Sequence, residues 1–228
     1  MKIAVLGTGM VGRALAGKLS TLGHDVVIGT RNVEQTLART EPDVMGNVPF
    51  GQWQGEHQGV RLLTFADAAA HGDLVVNASP GAISLTVLEA AGAANLSGKV
   101  LWDIALPLDL SQGLPPTLTV ANTDSLGEQI QRAYPDARVV KALTTVFAEV
   151  MVDPARVPGE HNVFVAGEDS GAKATVTELI EQFGWPAKAL VDLGGIRGAR
   201  GVEMYGPFYF AMSAALGTFD FNIAVVRA

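Results

Sequence analysis

The sequence predicts an α/β fold: a doubly wound parallel sheet with a small C-terminal α/β lobe. Three observations carry this reading. Short apolar runs alternate with helix-like stretches from residue 2 to about residue 143. The first run opens into Gly7-Thr8-Gly9-Met10-Val11-Gly12, a Gly-x-Gly-x-x-Gly turn. Of 228 residues, 48% are hydrophobic and only 17% charged, which suits strands covered by helices on both faces.

Residues 2–6 form the first apolar run, and an amphipathic stretch continues from the turn to Leu22, where Gly23 stops it. Residues 25–28 read as the second strand, completing the start of a βαβ unit. Residues 33–40 look helical, after which Pro42, Gly46, Pro49, Gly51 and Gly55 predict an irregular excursion to Gly59. Strands are expected at 60–65, 74–77, 100–103, 118–121 and 138–143, and helices at 66–71 and 82–91. Ser125 with Glu128 three residues on matches a capping box opening a helix to about Ala133. Asp153-Pro154 and Val157-Pro158-Gly159 mark a loop. A strand at 162–166, a helix at 170–183, a strand at 187–191, a mostly helical 194–217 and a closing strand at 221–226 follow. The expected boundary lies near residue 150: residues 1–150 as the dinucleotide-binding domain, and 151–228 as a lobe that completes the substrate cleft and supplies a dimer interface.

The glycine turn carries the first chemical inference. A lone Gly-x-Gly-x-x-Gly is weak in a chain with 26 glycines, but here a strand ends at Leu6 and a helix begins within the motif, the arrangement of a Rossmann fold. Gly7 permits the tight turn, Gly9 lets a pyrophosphate approach the backbone, and Gly12 lets helix and strand pack closely. The helix N-terminus then favours the phosphate charge. Thr8, Met10 and Val11 belong to the same cradle.

The end of the second strand predicts NADP rather than NAD. An NAD site places an Asp or Glu there to hold the ribose diol. This chain has Gly29-Thr30-Arg31-Asn32. Without a carboxylate there is nothing to repel a 2′-phosphate. Arg31 offers a planar fork of donors, Thr30 a hydroxyl and Asn32 an amide. The plainer alternative is a solvated loop arginine.

Ligands of such sheets lie beyond the carboxyl ends of the strands. Ala78-Ser79-Pro80 follows one strand and forms a candidate lip over the cofactor, and Ala105 lies just beyond the next. Asp103 ends that strand and is open between orienting a carboxamide or substrate and being a helix cap or surface group.

Composition excludes other classes. The net charge is −7 with no Lys/Arg cluster, so a nucleic-acid partner is not expected. With no cysteine there are no disulfides, thiol chemistry or thiolate metal sites. The four histidines show no metal-ligand spacing, so no metal is expected. Met1-Lys2 leads straight into a strand without a signal-peptide pattern, and residues 204–217 are too short for a span of roughly 20 residues. The expectation is a cytoplasmic protein with no membrane partner. No Ser–His–Asp set and no Tyr-x-x-x-Lys sequence stands out, and no catalytic side chain is assigned. A dehydrogenase acting on an alcohol normally needs a group to move the hydroxyl proton. Hydride exchange between two organic rings needs only positioning and exclusion of water.

The segments 1–12, Gly29-Thr30-Arg31, Arg138-Val-Val-Lys-Ala-Leu-Thr-Thr145, Asn162-Val-Phe-Val-Ala-Gly-Glu-Asp169 and Phe221-Asn-Ile-Ala-Val225 resemble the coenzyme F420-dependent NADP oxidoreductases. More distantly they resemble the reductase domain of the STEAP metalloreductases. The resemblance implies hydride exchange between NADP(H) and a deazaflavin (F420) or flavin-like co-substrate. It implies that Thr8, Thr30 and Arg31 hold the dinucleotide, that Ser79-Pro80 and the strand end at Thr144-Thr145 line the ring-stacking cleft, and that a homodimer forms through the C-terminal helices. Phe208-Tyr-Phe-Ala-Met212 would serve that contact, or equally be plain core. An NADPH-dependent imine or small-carbonyl reductase, with Tyr205 or Asp103 as proton donor, is one alternative. A non-catalytic NADP-sensing module is another.

Overall fold

A computed structural model of the chain describes residues 1–43 and 46–227. The strands are β1 (Lys2–Leu6), β2 (Asp25–Thr30), β3 (Arg61–Thr64), β4 (Leu74–Asn77), β5 (Val100–Asp103), β6 (Leu108–Asp109), β7 (Thr117–Leu118), β8 (Arg138–Ala142), β9 (Val163–Ala166) and β10 (Leu190–Asp192). The α-helices are α1 (Met10–Thr21), α2 (Val33–Leu37), α3 (Phe50–Glu56), α4 (Phe65–His71), α5 (Ser84–Ala91), α6 (Ala93–Leu96), α7 (Leu126–Ala133), α8 (Ala148–Val152), α9 (Ser170–Gln182) and α10 (Ala199–Leu216).

Eight strands make one sheet in the order β10-β9-β8-β5-β4-β1-β2-β3. The six strands from β3 to β8 are parallel, and β9 runs antiparallel to β8 with β10 parallel to β9. The fold is therefore Rossmann-like, with an antiparallel extension at one edge. The C-terminal α/β segment adds its two strands to this same sheet.

Alternation along each strand divides the core. Ile3 and Val5 face one layer, with Leu15 and Leu19 of α1, Val150 and Met151 of α8, and Val176 and Ile180 of α9. Ala4 and Leu6 face the other, with Ala68 of α4, Leu88 of α5, and Leu126 and Ile130 of α7. Period-two burial on both faces is what a central parallel sheet requires. The connections reverse direction between β1 and β4, so the ligand crevice of such a sheet lies over their carboxyl ends.

Several expectations change. The stretch after β2 forms a helix only to Leu37, and α3 rises within the expected excursion despite Gly51 and Gly55. It is held by buried Phe50, whose ring tilts against Trp53 at 5.4 Å, and by Trp53 stacked on His57 at 4.2 Å. Val44 and Met45 in that stretch lie outside the described residues. The strand expected at 118–121 is only Thr117–Leu118, paired with Leu108–Asp109 in a separate antiparallel ribbon. The place beside β5 belongs to β8. Ala187–Ala189 forms a 3₁₀ turn and the strand begins at Leu190. Residues 221–226 form no strand. Their polar groups are met by Asn162: its N–H donates to the Ile223 carbonyl at 2.9 Å, and its Oδ1 accepts from the Val225 N–H at 2.7 Å. Ser125 caps α7 as expected, its Oγ accepting from the Glu128 N–H at 3.1 Å, but the Glu128 carboxylate accepts from the Ser125 hydroxyl at 2.7 Å and pairs with Arg200, so the box is only half formed.

Candidate functional site

The parallel strands deliver the residues singled out above to one edge of the sheet. Thr8 and Gly9 follow β1, Thr30-Arg31-Asn32 closes and follows β2, Ala78-Ser79-Pro80 follows β4, Ala105 follows β5 and Thr144-Thr145 follows β8. Backbone hydrogen bonds lock these exits together: Gly7 N–H to the Gly29 carbonyl, Ala78 N–H to the Leu6 carbonyl and Ile104 N–H to the Asn77 carbonyl, each at 3.1 Å.

Each glycine of the turn is used differently. Gly7 sits at φ +135°, and a Cβ there would lie 2.5 Å from the Ala78 carbonyl oxygen. A Cβ on Gly12 would lie 2.1 Å from the Gly7 carbonyl oxygen. Both contacts are with backbone, so no side-chain rotation relieves them. A Cβ on Gly9 would meet nothing within 4 Å. Gly9 caps α1, whose first turn carries no acidic residue and no side-chain cap. The leading N–H groups of α1 therefore have no capping side chain, and there is room beside Gly9, the arrangement that accepts an anion.

The end of β2 shows a division of labour that the sequence hid. Arg31 is exposed and, among the described residues, makes no hydrogen bond or ion pair. Asn32 is the cap of α2, its Oδ1 accepting from the Gln35 N–H at 2.9 Å. Thr30 is buried, and its hydroxyl pairs with that of Thr36 at 2.8 Å, which in turn donates to the Asn32 carbonyl at 2.8 Å. Thr30 and Asn32 thus shape the turn that presents Arg31.

Arg13, which sequence reasoning missed, fastens the glycine turn. Its Nε donates to the Thr8 carbonyl at 2.7 Å, its Nη1 donates to the Val48 carbonyl, and its guanidinium lies 5.4 Å from the centre of the Phe50 ring. Burial lowers its pKa, partly offset by Asp43. The only sequence signal was an arginine one residue past the third glycine; its partners come from a segment 35 positions away.

The far side of the crevice holds a buried polar row. Register places Asn77 opposite Asp103, and Asp103 opposite Lys141. Asn77 Nδ2 donates to Asp103 Oδ1 at 2.8 Å, and Lys141 Nζ lies 2.8 Å from Asp103 Oδ2. Lys141 also pairs with Glu203 Oε1 of α10 at 2.9 Å and donates to the Ala105 carbonyl. The Ser79 hydroxyl donates to Asn77 Oδ1 at 2.6 Å, anchoring the lip. Burial draws the Lys141 pKa down, but Asp103 and Glu203 outweigh it, and the ammonium is held above the usual lysine value. Asp103 is therefore neither a helix cap nor a surface group: its two carboxylate oxygens accept from Asn77, from the Ala105 N–H and from Lys141. Lys141 and Glu203 went unread in the sequence.

Beyond β8 the chain turns through Leu143, a buried non-glycine residue at φ +61°. Such backbone conformations persist where surrounding structure over-determines them. Thr144 and Thr145 follow, both buried, and neither hydroxyl has a partner among the described residues; the Tyr205 hydroxyl of α10 is likewise unpartnered there. Burial pushes the Tyr205 pKa up. Buried hydroxyls without partners are uncommon enough to call for one, from solvent or from a ligand. No cluster of metal-ligating residues occurs among the described residues, and no helix there is long and apolar enough to cross a membrane.

Comparison with known proteins fits this arrangement. The family model described as NADP oxidoreductase, coenzyme F420-dependent, matches residues 2–107. A crystal structure from Arthrobacter sp. FB24, provisionally named an F420-dependent NADP reductase, is 55% identical with a TM-score of 0.95, and covers 100% of both chains. The F420-dependent NADP reductase of Methanothermobacter marburgensis is 28% identical over 211 residues, covering 91% of this chain and 90% of that protein. The metalloreductase STEAP3 of Rattus norvegicus is 26% identical over 208 residues, 89% of this chain, which spans only 36% of that protein's length.

Proposed function

The chain belongs to the coenzyme F420-dependent NADP oxidoreductases, and on that premise we propose that it passes a hydride between NADP(H) and a deazaflavin or flavin-like co-substrate. The observation that carries this reading is the strand-exit edge itself. β1 opens into an uncapped helix N-terminus at Gly9, and the neighbouring β2 ends at Arg31, unpaired among the described residues, where an NAD site would place a carboxylate.

The glycine turn would receive the pyrophosphate, with Thr8, Met10 and Val11 around it, and Arg31 would pair with the 2′-phosphate. Thr30 and Asn32 would act by shaping the Arg31 turn. The Ala78-Ser79-Pro80 lip and Ala105 would border the nicotinamide. The hydroxyls of Thr144 and Thr145 would meet polar edges of the second ring. NADPH, when bound, supplies the hydride, and the acceptor takes up one proton from solvent. The protein's own work is then to hold two rings in contact and keep water out.

Residues 151–228 would complete the cleft through α10 and form a homodimer contact. Phe208 and Leu216 are 58% and 56% exposed on that helix, which also lines, through Phe210, Ala211 and Ala214, an apolar groove of about 340 Å³ that includes Leu114 and Phe219. Apolar surface of this kind marks contact sites.

The test is a spectrophotometric assay of NADPH oxidation against F420, FMN, FAD, ferric chelates and a cyclic imine. Turnover with F420 or a flavin is expected. Turnover with the imine alone would assign an imine reductase, and binding of NADPH without turnover on any acceptor would assign a sensing module.

A further inference from the structure

We propose that Lys141 is a positioning residue for the nicotinamide half of the dinucleotide, acting through Asp103 and Ala105 without touching the ligand. The inference rests on the NADP reading above and adds a residue to it. Lys141 Nζ is fully buried and has three acceptors for its three N–H bonds: Asp103 Oδ2 at 2.8 Å, Glu203 Oε1 at 2.9 Å and the Ala105 carbonyl.

These partners reach every structure that borders the ring. Both backbone polar groups of Ala105 are fixed by the cluster, since its N–H donates to Asp103 Oδ1 at 3.2 Å while its carbonyl accepts from Lys141. The same Asp103 oxygen accepts from Asn77, which holds the Ser79 hydroxyl and so the lip. On the other side, the Glu203 carboxylate accepts from the N–H groups of Leu126 and Gly127 at 2.8 and 2.9 Å, capping α7 and tying it to α10. Gly127 permits this approach: a Cβ there would lie 3.0 Å from the Ala199 Cβ. One ammonium thus sets the strand exits of β4 and β5 and the helix behind them in a single register. Buried ion clusters are poor sources of net stability compared with apolar packing. Their directional bonds fix position instead, and these lie along the edge where the ring would sit.

The test compares two ligands on one protein. 2′,5′-ADP engages only the adenosine end of the site, whereas NADP+ engages both ends. The variant Lys141→Met/Glu203→Gln removes the ion pairs while leaving the cluster with one net negative charge, as in the parent: one ammonium and two carboxylates before, one carboxylate after. The glutamine oxygen can still accept from one of the two α7 N–H groups, which the parent's two carboxylate oxygens take separately. Calorimetric titration should show 2′,5′-ADP bound within about twofold of the parent and NADP+ weakened about tenfold. Asp103→Asn, which keeps the acceptor for Asn77 and Ala105 but removes the anion facing Lys141, should change the ratio in the same direction. A merely structural role lowers the folded fraction and leaves the ratio of the two affinities unchanged. An unchanged ratio in folded protein would overturn the inference. Absence of 2′,5′-ADP binding by the parent would instead overturn the NADP reading beneath it.

Discussion

Gly12→Ala is expected to lose both stability and dinucleotide binding, whereas Gly9→Ala, three residues earlier in the same turn, should lose binding alone. The added methyl at residue 12 would stand 2.1 Å from the Gly7 carbonyl oxygen and 3.0 Å from its carbon. Both belong to the backbone of β1's exit, so α1 must shift away from the sheet. Overpacking of this kind costs roughly 1–3 kcal/mol and at times more, and the shift moves the N–H groups that would face the phosphates. At residue 9 the methyl enters open space. Urea denaturation should place Gly9→Ala within about 0.5 kcal/mol of the parent, while NADP+ titration shows both variants weakened. Equal destabilisation of the two would contradict the division of roles within the turn.

Lys141→Met alone should destabilise the protein by about 3–5 kcal/mol, the cost of leaving buried charge without its partner. Asp103 and Glu203 would remain at 0% and 1% exposure with no cation between them. Methionine matches the length of the lysine stem, so the loss reports the charge rather than a cavity. Denaturant midpoints at neutral pH should show the loss, and adding Glu203→Gln, which removes one of the two stranded carboxylates, should recover part of it. A double variant no more stable than Lys141→Met alone would indicate lost packing instead.

The glycine turn and the missing acid at the end of β2 were legible because each depends on local backbone chemistry. The buried row was written just as plainly and was still unread. Leu-Val-Val-Asn, Val-Leu-Trp-Asp and Arg-Val-Val-Lys-Ala each carry one polar residue late in an apolar strand. That Asn77, Asp103 and Lys141 meet depends on which strands are neighbours and in what register, a tertiary fact. Glu203 offered only a lone carboxylate in an apolar helix. Residues 221–226 alternate like a strand, but the Asn162 side chain takes the hydrogen bond that a neighbouring strand would have made. Arg13 gave no periodic signal, since its meaning comes from the fold-back of residues 48–50. Thr144 and Thr145 were reached only through family resemblance; nothing in the sequence shows that their hydroxyls lack partners.

The preference for NADP is tested most directly by calorimetric titration of the unaltered protein with NADP+ and with NAD+ under one buffer and salt concentration. A guanidinium facing a phosphate, with no competing carboxylate, predicts NADP+ bound about tenfold or more tightly, on the scale of one charge-assisted contact. Equal heats, or a tighter fit for NAD+, would show that Arg31 is a solvated loop residue and that no 2′-phosphate is held there.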